Sequence, residues 1–277
     1  MTWIETHDPL APDAVDIGPE VARPRSASRL GYIGYPLLAG GIAVASLEFV
    51  HRSGWVHPIA WPSPFSVFVA MYHQMSTSEM WENLWITIQE AWWGFLLGSA
   101  IGFVAGTGIA MSRFVSRALY PFTVLFYSMP IIAFAPVFVA LFGFGRTPKV
   151  LMAAAICFFP VLVNTVTGFR NVGEDEVSLM RSMCAPRRQI FWRLLVPTAL
   201  PSIFGGLKTT MTLAFLGAIV GEFTSANEGI GLLVNSAAIR LDMDRVFGYI
   251  IWLALTSLVL FPLIDRLAKR IVFWTES

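Results

Sequence analysis

The ionisable and nucleophilic side chains of this chain are few, and their placement limits the chemistry they could support. His7, His51, His57 and His73 are scattered over the N-terminal tail and the stretches after the first apolar run, and Asp265 stands alone. A membrane phosphotransferase would instead gather aspartates or histidines around a divalent cation. No phosphate-binding glycine-rich loop ending in Gly-Lys-Ser or Gly-Lys-Thr occurs, so the chain has no phosphate cradle of the P-loop kind. Cys157 sits in an apolar run and Cys184 in a polar loop. They form neither a disulfide framework nor a thiolate metal site, and both read as packing residues. A carrier driven by ions alone would want paired acidic residues near a membrane midplane together with internal repeats, and neither pattern is evident. A polytopic membrane enzyme and an ion-coupled secondary carrier are therefore the alternatives to the reading below.

What remains is residues 170–201, RNVGEDEVSLMRSMCAPRRQIFWRLLVPTALP, a basic amphipathic segment between two strongly apolar stretches. Spacing predicts a helix over 175–184, with Leu179, Met180 and Met183 on one side and Arg181 on another. Ala185-Pro186 breaks it. A second helix from about Pro186 puts Ile190, Phe191, Leu194 and Leu195 on one stripe and Arg187, Arg188 and Arg193 elsewhere, until Pro197 and Pro201 end it. A few polar residues suffice for a chain to turn round beside a membrane, so this longer basic elbow is expected to hold a soluble partner. The plainer alternative is an interfacial helix on anionic lipid.

The elements that would position the elbow follow from composition. Of 277 residues, 56% are apolar and 13% charged, more apolar surface than one soluble core could bury. Membrane lipid is the expected solvent, and a net charge of +1 argues against nucleic acid. Six runs, 32–50, 84–111, 119–144, 150–169, 203–223 and 246–263, are near the roughly 20 residues that cross about 30 Å of hydrocarbon. Residues 1–30, acidic and proline-rich before turning basic at Arg23, Arg25 and Arg29, read as a flexible cytoplasmic tail without a signal-peptide cleavage pattern. With the N-terminus inside, only Arg52, Arg146, Lys149, Arg240 and Arg245 of the 19 Lys and Arg fall outside, which places both termini in the cytoplasm.

Finer features are legible within these runs. Gly94, Gly98, Gly102 and Gly106 repeat every four residues, a face on which another helix can approach backbone to backbone. Trp81, Trp85, Trp92 and Trp93 crowd the outer end of that span, and Glu90 is expected to reach water from there. Ser63-Pro64 forms a helix start, a capping hydroxyl before proline, and the helix should end near Ser76. A second short helix is expected over 229–239, after a turn at 227–231. Pro121, Pro130 and Pro136 in the third span mean either a kinked packing helix or a segment bordering a pathway near 129–136. Lys208 is expected to snorkel to lipid phosphate.

The stretch Arg181-Ser182-Met183-Cys184-Ala185-Pro186-Arg187, with Gln189-Ile190-Phe191 and Pro197-Thr198-Ala199-Leu200-Pro201, resembles the signature loop of ABC importer permeases, which opens Glu-Ala-Ala and then carries a glycine. Trp61-Pro62-Ser63-Pro64, Ser128-Met129-Pro130, Ala135-Pro136, residues 142–145 and 159–165, Gly221-Glu222 and Gly229-Ile230-Gly231 extend the likeness over about 30–270, toward the nitrate, sulfonate, taurine and bicarbonate group. The resemblance implies an all-α, six-span permease of the type I importer fold over 31–277, in the bacterial inner membrane. It implies a second permease subunit, two cytoplasmic ATP-binding subunits that hold ATP and magnesium, and an extracytoplasmic solute-binding protein. The chain itself would hold no cofactor and hydrolyse nothing. The solute would be a small anion such as nitrate, a sulfonate or bicarbonate.

The same resemblance assigns ATPase coupling to Ser178, Leu179, Met180, Arg181, Met183, Cys184, Ala185, Arg187 and Arg188. It nominates Met129, Phe134, Asn164, Thr165, Thr209, Thr212 and Glu222 for the translocation pathway, although Glu222 also suits a structural bridge to the turn at Asn227. Ser178 stands where the family has glutamate, a role open to Glu174, Asp175 or Glu176. Leu179 and Met180 replace the alanines and Cys184 the glycine, so the turn at Cys184 must either avoid positive φ or accept strain.

Overall fold

In the computed structural model the described residues are 29–53, 61–112, 114–118, 125, 129–225 and 227–275. Most of the predicted tail, together with Pro121 and Ser128, lies outside them. The chain divides into two compact units, Met1–Phe49 and Val50–Ser277. The described part of the first belongs to α1 (Arg29–Ser53), which covers the first predicted span.

In the second unit α2 (Pro64–Met75) starts as its sequence predicts. Ser63 Oγ accepts the Ser66 N–H at 3.0 Å, and Pro64 takes the first position, where no backbone donor is needed. α3 (Ser78–Met111) runs 34 residues, about 51 Å at ~1.5 Å per residue, so its polar first turns overhang a bilayer core of about 30 Å. The predicted third span is not one helix in its described part. After Pro130 a 3₁₀ turn (Ile131–Phe134) leads into the short α4 (Ala135–Phe142), which ends at Gly143 with φ of 75°. Pro130 and Pro136 each remove a donor, and Pro136 is accommodated only because it falls in α4's first turn. Residues 119–124 and 126–128 of that span are outside the described set.

α5 (Arg146–Arg170) is followed by α6 (Glu174–Ser182) and α7 (Arg187–Ile190). A π-helical turn (Phe191–Leu195) then joins α7 to α8 (Val196–Thr224). Pro197 and Pro201 do not end this helix, contrary to the sequence expectation. In the π turn the Val196 N–H reaches the Phe191 carbonyl, five residues back, and this wider register leads into α8 with Pro197 in its first turn. α9 (Ile230–Ile239) and α10 (Met243–Ile271) complete the chain. Among the described residues, α3, α5, the run Arg187–Thr224 and α10 are long and apolar enough to cross a membrane.

α5 is the axis of packing, with α3 on one side and α8 on the other. The glycine stripe of α3 makes the first contact: Gly94 lies against Ala153, Gly98 against the Ala154 carbonyl, Gly102 against the Phe158 carbonyl, and Gly106 against Leu162 and Thr165. A methyl group at any of the four would overlap its neighbour, whereas Gly108 faces open space. On the other side Gly206, Gly217 and Gly221 of α8 press on Asn164, Ala153 and Lys149. Small residues thus let the backbones close where lipid supplies no hydrophobic drive. At the end away from α6, α9 is held between α3 and α10 by Leu84, Ile230, Val234, Tyr249 and Leu253.

Candidate functional site

The elbow between α5 and α8 rests on an aromatic contact. Phe191 stacks on Phe169 at 6.0 Å and 17° between planes, Ile190 is buried, and Leu195 packs with Ala199 and Ile203. From this anchor α6 projects with none of its residues buried. Glu174, Asp175 and Glu176 occupy its first turn, where carboxylates face the positive end of the helix dipole, and Arg181 occupies its last. The helix closes with a Schellman arrangement: the Cys184 N–H bonds the Arg181 carbonyl at 2.9 Å and the Ala185 N–H the Met180 carbonyl at 3.1 Å. That closure requires a left-handed residue, and Cys184 supplies it at φ of 58°. Of the two alternatives its side chain left open, the turn accepts the strain.

All nine residues assigned to coupling lie on this elbow. Leu179 and Met183 are 64% and 72% exposed, apolar knobs left uncovered among the described residues. Ser178, Arg181, Cys184, Arg187 and Arg188 are exposed around them, and Met180 and Ala185 are half-buried. Ser178 holds the local helix through its carbonyl, which accepts from Ser182 Oγ at 3.0 Å. Trp192, exposed on the π turn, extends the apolar surface.

The seven pathway candidates do not meet at one place within the chain. Met129 and Phe134 line one cavity of about 360 Å³ with Leu97, Ile101, Phe138 and Phe158. Thr209 and Thr212 lie exposed on one face of α8, continued by Leu216. Asn164 sits in the α5–α8 contact, donating to the Pro160 carbonyl at 2.8 Å while its own carbonyl accepts from Ser202 Oγ at 3.0 Å. Thr165 is fully buried against Gly106.

Glu222, also fully buried, belongs to a polar network at the end of the helices opposite the elbow. Its Oε1 accepts from Thr87 Oγ1 at 2.6 Å and its Oε2 from the Gly231 N–H at 2.5 Å. Its carboxyl group fills the space in which a side chain on Gly229 would stand, and Gly229 has φ of 106°. The Ile230 N–H bonds Thr87 Oγ1 at 2.9 Å and the Gly229 N–H bonds Asn83 Oδ1 at 2.7 Å. Lys149, fully buried, places Nζ 2.8 Å from the Glu228 carbonyl and 3.1 Å from Glu90 Oε1. Outside this core Arg146 Nε meets Glu228 Oε1 at 2.7 Å, and the guanidinium holds the Glu228 carboxyl below the usual carboxylate range.

Two sequence expectations are corrected here. Glu90 does not reach water but is 1% exposed and paired with Lys149. Lys208 does not stand free for lipid but pairs at 2.5 Å with Asp265, which also meets Lys269 at 3.1 Å. Charges inside an apolar run tend to find each other, and that rule was the available signal for both pairs. Thr87 and Asn83 carried none.

A glycine-packed bundle of membrane-length helices with a protruding helical elbow defines a polytopic membrane protein of the type I ABC importer permease fold. It superposes on the inward-facing MetNI methionine ABC transporter with a TM-score of 0.62 at 18% identity, over 71% of this chain and 99% of that one. The chain belongs to the family of binding-protein-dependent transport system inner membrane components, whose pattern matches residues 98–273. It is similar to the riboflavin transport system permease protein of Chloroflexus aurantiacus, 35% identical over 216 residues, 78% of this chain and 81% of that one. It is also similar to the formylaminopyrimidine transport permease protein of Halalkalibacterium halodurans, 34% identical over 225 residues, 79% and 88% of the two chains. Relatives named for aliphatic sulfonate, taurine and nitrate transport bear out the resemblance drawn from the loop. The protein is an ABC importer permease subunit, multi-pass in a bacterial inner membrane.

Proposed function

We propose that the elbow docks into a cleft of a cytoplasmic ATP-binding subunit and couples its cycle to passage of a small solute through a pair of permease subunits. One observation carries this reading: α6 stands clear of the bundle, closed by a strained left-handed turn, with Leu179 and Met183 uncovered and Arg181, Arg187 and Arg188 around them. Exposed apolar knobs ringed by charge are the composition of a docking surface. ATP and its magnesium ion belong to two such partner subunits, and this chain hydrolyses nothing. A solute-binding protein delivers cargo at the opposite face, both termini lie in the cytoplasm, and the second permease is a copy of this chain or a homologue. Thr209 and Thr212 face that second permease across the pathway.

The family resemblance points to a small anion as solute. The cavity at Met129 and Phe134 supports a second reading, because its lining is apolar and aromatic among the described residues. Such a wall suits a flat organic ring, whereas an inorganic anion needs donors aimed at it. Uptake competition between nitrate or taurine and an aromatic heterocycle such as riboflavin separates the two.

The docking reading is tested by expressing the tagged full chain in its native host, purifying in mild detergent, and identifying any retained ATP-binding subunit by mass spectrometry. Wild type should retain that subunit and stimulate its ATP hydrolysis. Arg187→Glu with Arg188→Glu should insert normally and lose both. Equal ATPase recovery with the double variant would overturn the assignment.

A further inference from the structure

The network around Lys149 holds an imbalance that coupling does not use. Glu90, Lys149 and Glu222 are 1%, 0% and 0% exposed, two carboxyl groups against one ammonium in a region of bilayer-spanning helices. The surrounding elements bring little further charge. α3 supplies Thr87 beside Glu90, and α5 supplies Lys149, with Arg146 one turn away and engaged by Glu228. The 225–229 turn offers the Glu228 carbonyl, and α9 offers the N–H groups of Ile230 and Gly231. α10 packs on α9 through Val246, Tyr249 and Leu253, all outside this network.

The two carboxyl groups are also served unequally. Glu222 accepts from Thr87 on one oxygen and from Gly231 on the other, as a carboxylate should. Among the described residues neither oxygen of Glu90 has a hydrogen-bond donor of good geometry, its tie to Lys149 being an ion pair at 3.1 Å. Thr87, one helical turn before Glu90 on α3, donates to Glu222, so the two buried carboxyl groups enter one network from α3 and α8. Two adjacent buried carboxylates repel, and an orphaned carboxylate oxygen in an apolar interior is costly. One proton resolves both difficulties.

We propose that Glu90 and Glu222 form a proton-binding site, in which Glu90 holds the proton and donates it to Glu222 while Lys149 balances the single remaining charge. The bound proton is taken from solvent and no covalent bond between heavy atoms changes. It joins α3 to α8 and, through Glu222 and Gly231, fixes the turn that leads into α9. Removing it sets two carboxylates side by side and loosens that turn, so the packing of this end of the protein depends on proton occupancy.

Glutamine is the isostere of a protonated glutamate, and it makes the test sharp. In Glu90→Gln the new amide can accept from Lys149 and donate to Glu222, leaving one positive and one negative charge. Glu222→Gln instead turns an NH₂ group against Thr87 or the Gly231 N–H, and leaves Glu90 to ionise against Lys149. The infrared spectrum of the full-length protein in detergent at neutral pH should contain the C=O stretch of a buried protonated carboxylic acid. That band should disappear in Glu90→Gln and in Glu222→Gln, and in wild type on alkaline titration. Thermal unfolding should leave Glu90→Gln close to wild type and lower Glu222→Gln clearly. If Glu90 were an ordinary ionised partner of Lys149, Glu90→Gln would strand a buried ammonium and melt far below wild type. That result, or a wild-type spectrum without the band at neutral pH, overturns the proposal. Neither readout involves an ATPase, so failure here is distinct from failure of the docking reading.

Discussion

Replacing Cys184 by glycine tests the strained turn of the elbow directly. Cys184 holds φ of 58° so that its own N–H and that of Ala185 can bond the Arg181 and Met180 carbonyls. A left-handed conformation costs an L-residue roughly 1–2 kcal/mol. Glycine removes that cost but loses about 0.5–1 kcal/mol more chain entropy on folding. The difference favours glycine by about 0.5–1 kcal/mol, a two- to fivefold shift at about 1.4 kcal/mol per factor of ten. Because α6 has no buried residue, the gain belongs to local opening of its last turn and will scarcely register in global unfolding. Hydrogen exchange followed by mass spectrometry over residues 180–186 reads it. Cys184→Gly should slow exchange of the Ala185 amide two- to fivefold, Cys184→Ala should leave it unchanged, and Cys184→Val should accelerate it. An Ala185 amide that exchanges as fast in the glycine variant as in wild type would refute the strain argument.

Gly98→Ala should lower the melting temperature, since its methyl group would strike the Ala154 carbonyl at a cost of about 1–3 kcal/mol, whereas Gly108→Ala, facing open space, should not. The Arg146–Glu228 pair lowers the Glu228 pKa, so its contribution is present above the ordinary glutamate range and is lost as pH falls through the lowered value; Glu228→Gln should flatten the acid limb of melting temperature against pH. Asp265→Asn should lower the melting temperature by freeing Lys208 and Lys269, with an effect that shrinks as salt rises, because the pairs are partly exposed.

Features written in local spacing were legible in the sequence. The Ser63–Pro64 start, the glycine face of α3 and the short helix after Gly229 needed only a cap, a four-residue period and a turn. The elbow was legible as a basic amphipathic segment and as a family motif, though its two conformations at Cys184 stayed open because side-chain identity does not set φ. Three errors have two causes. Pro197 read as a stop because the π turn that accommodates it has no one-residue signature. Glu90 and Lys149 lie on different helices, as do Lys208 and Asp265, so only packing could decide that each charge meets a partner and not solvent. The described part of the third span departs from a single helix for another reason, since Pro130 and Pro136 each remove a backbone donor and interrupt the ladder.

The run from Arg187 to Thr224 ties these observations together. At about 1.5 Å per residue its 38 residues reach roughly 57 Å, with the elbow at one end and Glu222 at the other. Its backbone approaches α5 closely at Gly206, Gly217 and Gly221, and side chains interlock around these points, Met211 and Phe215 with Cys157 and Ala199 and Ile203 with Phe169. Polar ties add to that packing at two places, Ser202 on the Asn164 carbonyl and the Glu222 network at the far end. The π turn is the weak point of the rod, since the widened register at Phe191–Leu195 breaks the regular ladder next to the anchor at Phe169. Under the docking reading, a force on α6 therefore meets a compliant joint first and a regular, tightly packed helix after it. Whether motion of the elbow reaches the Glu222 turn depends on that joint being stiffer than the network it must displace, and Glu90's proton sets the strength of that network.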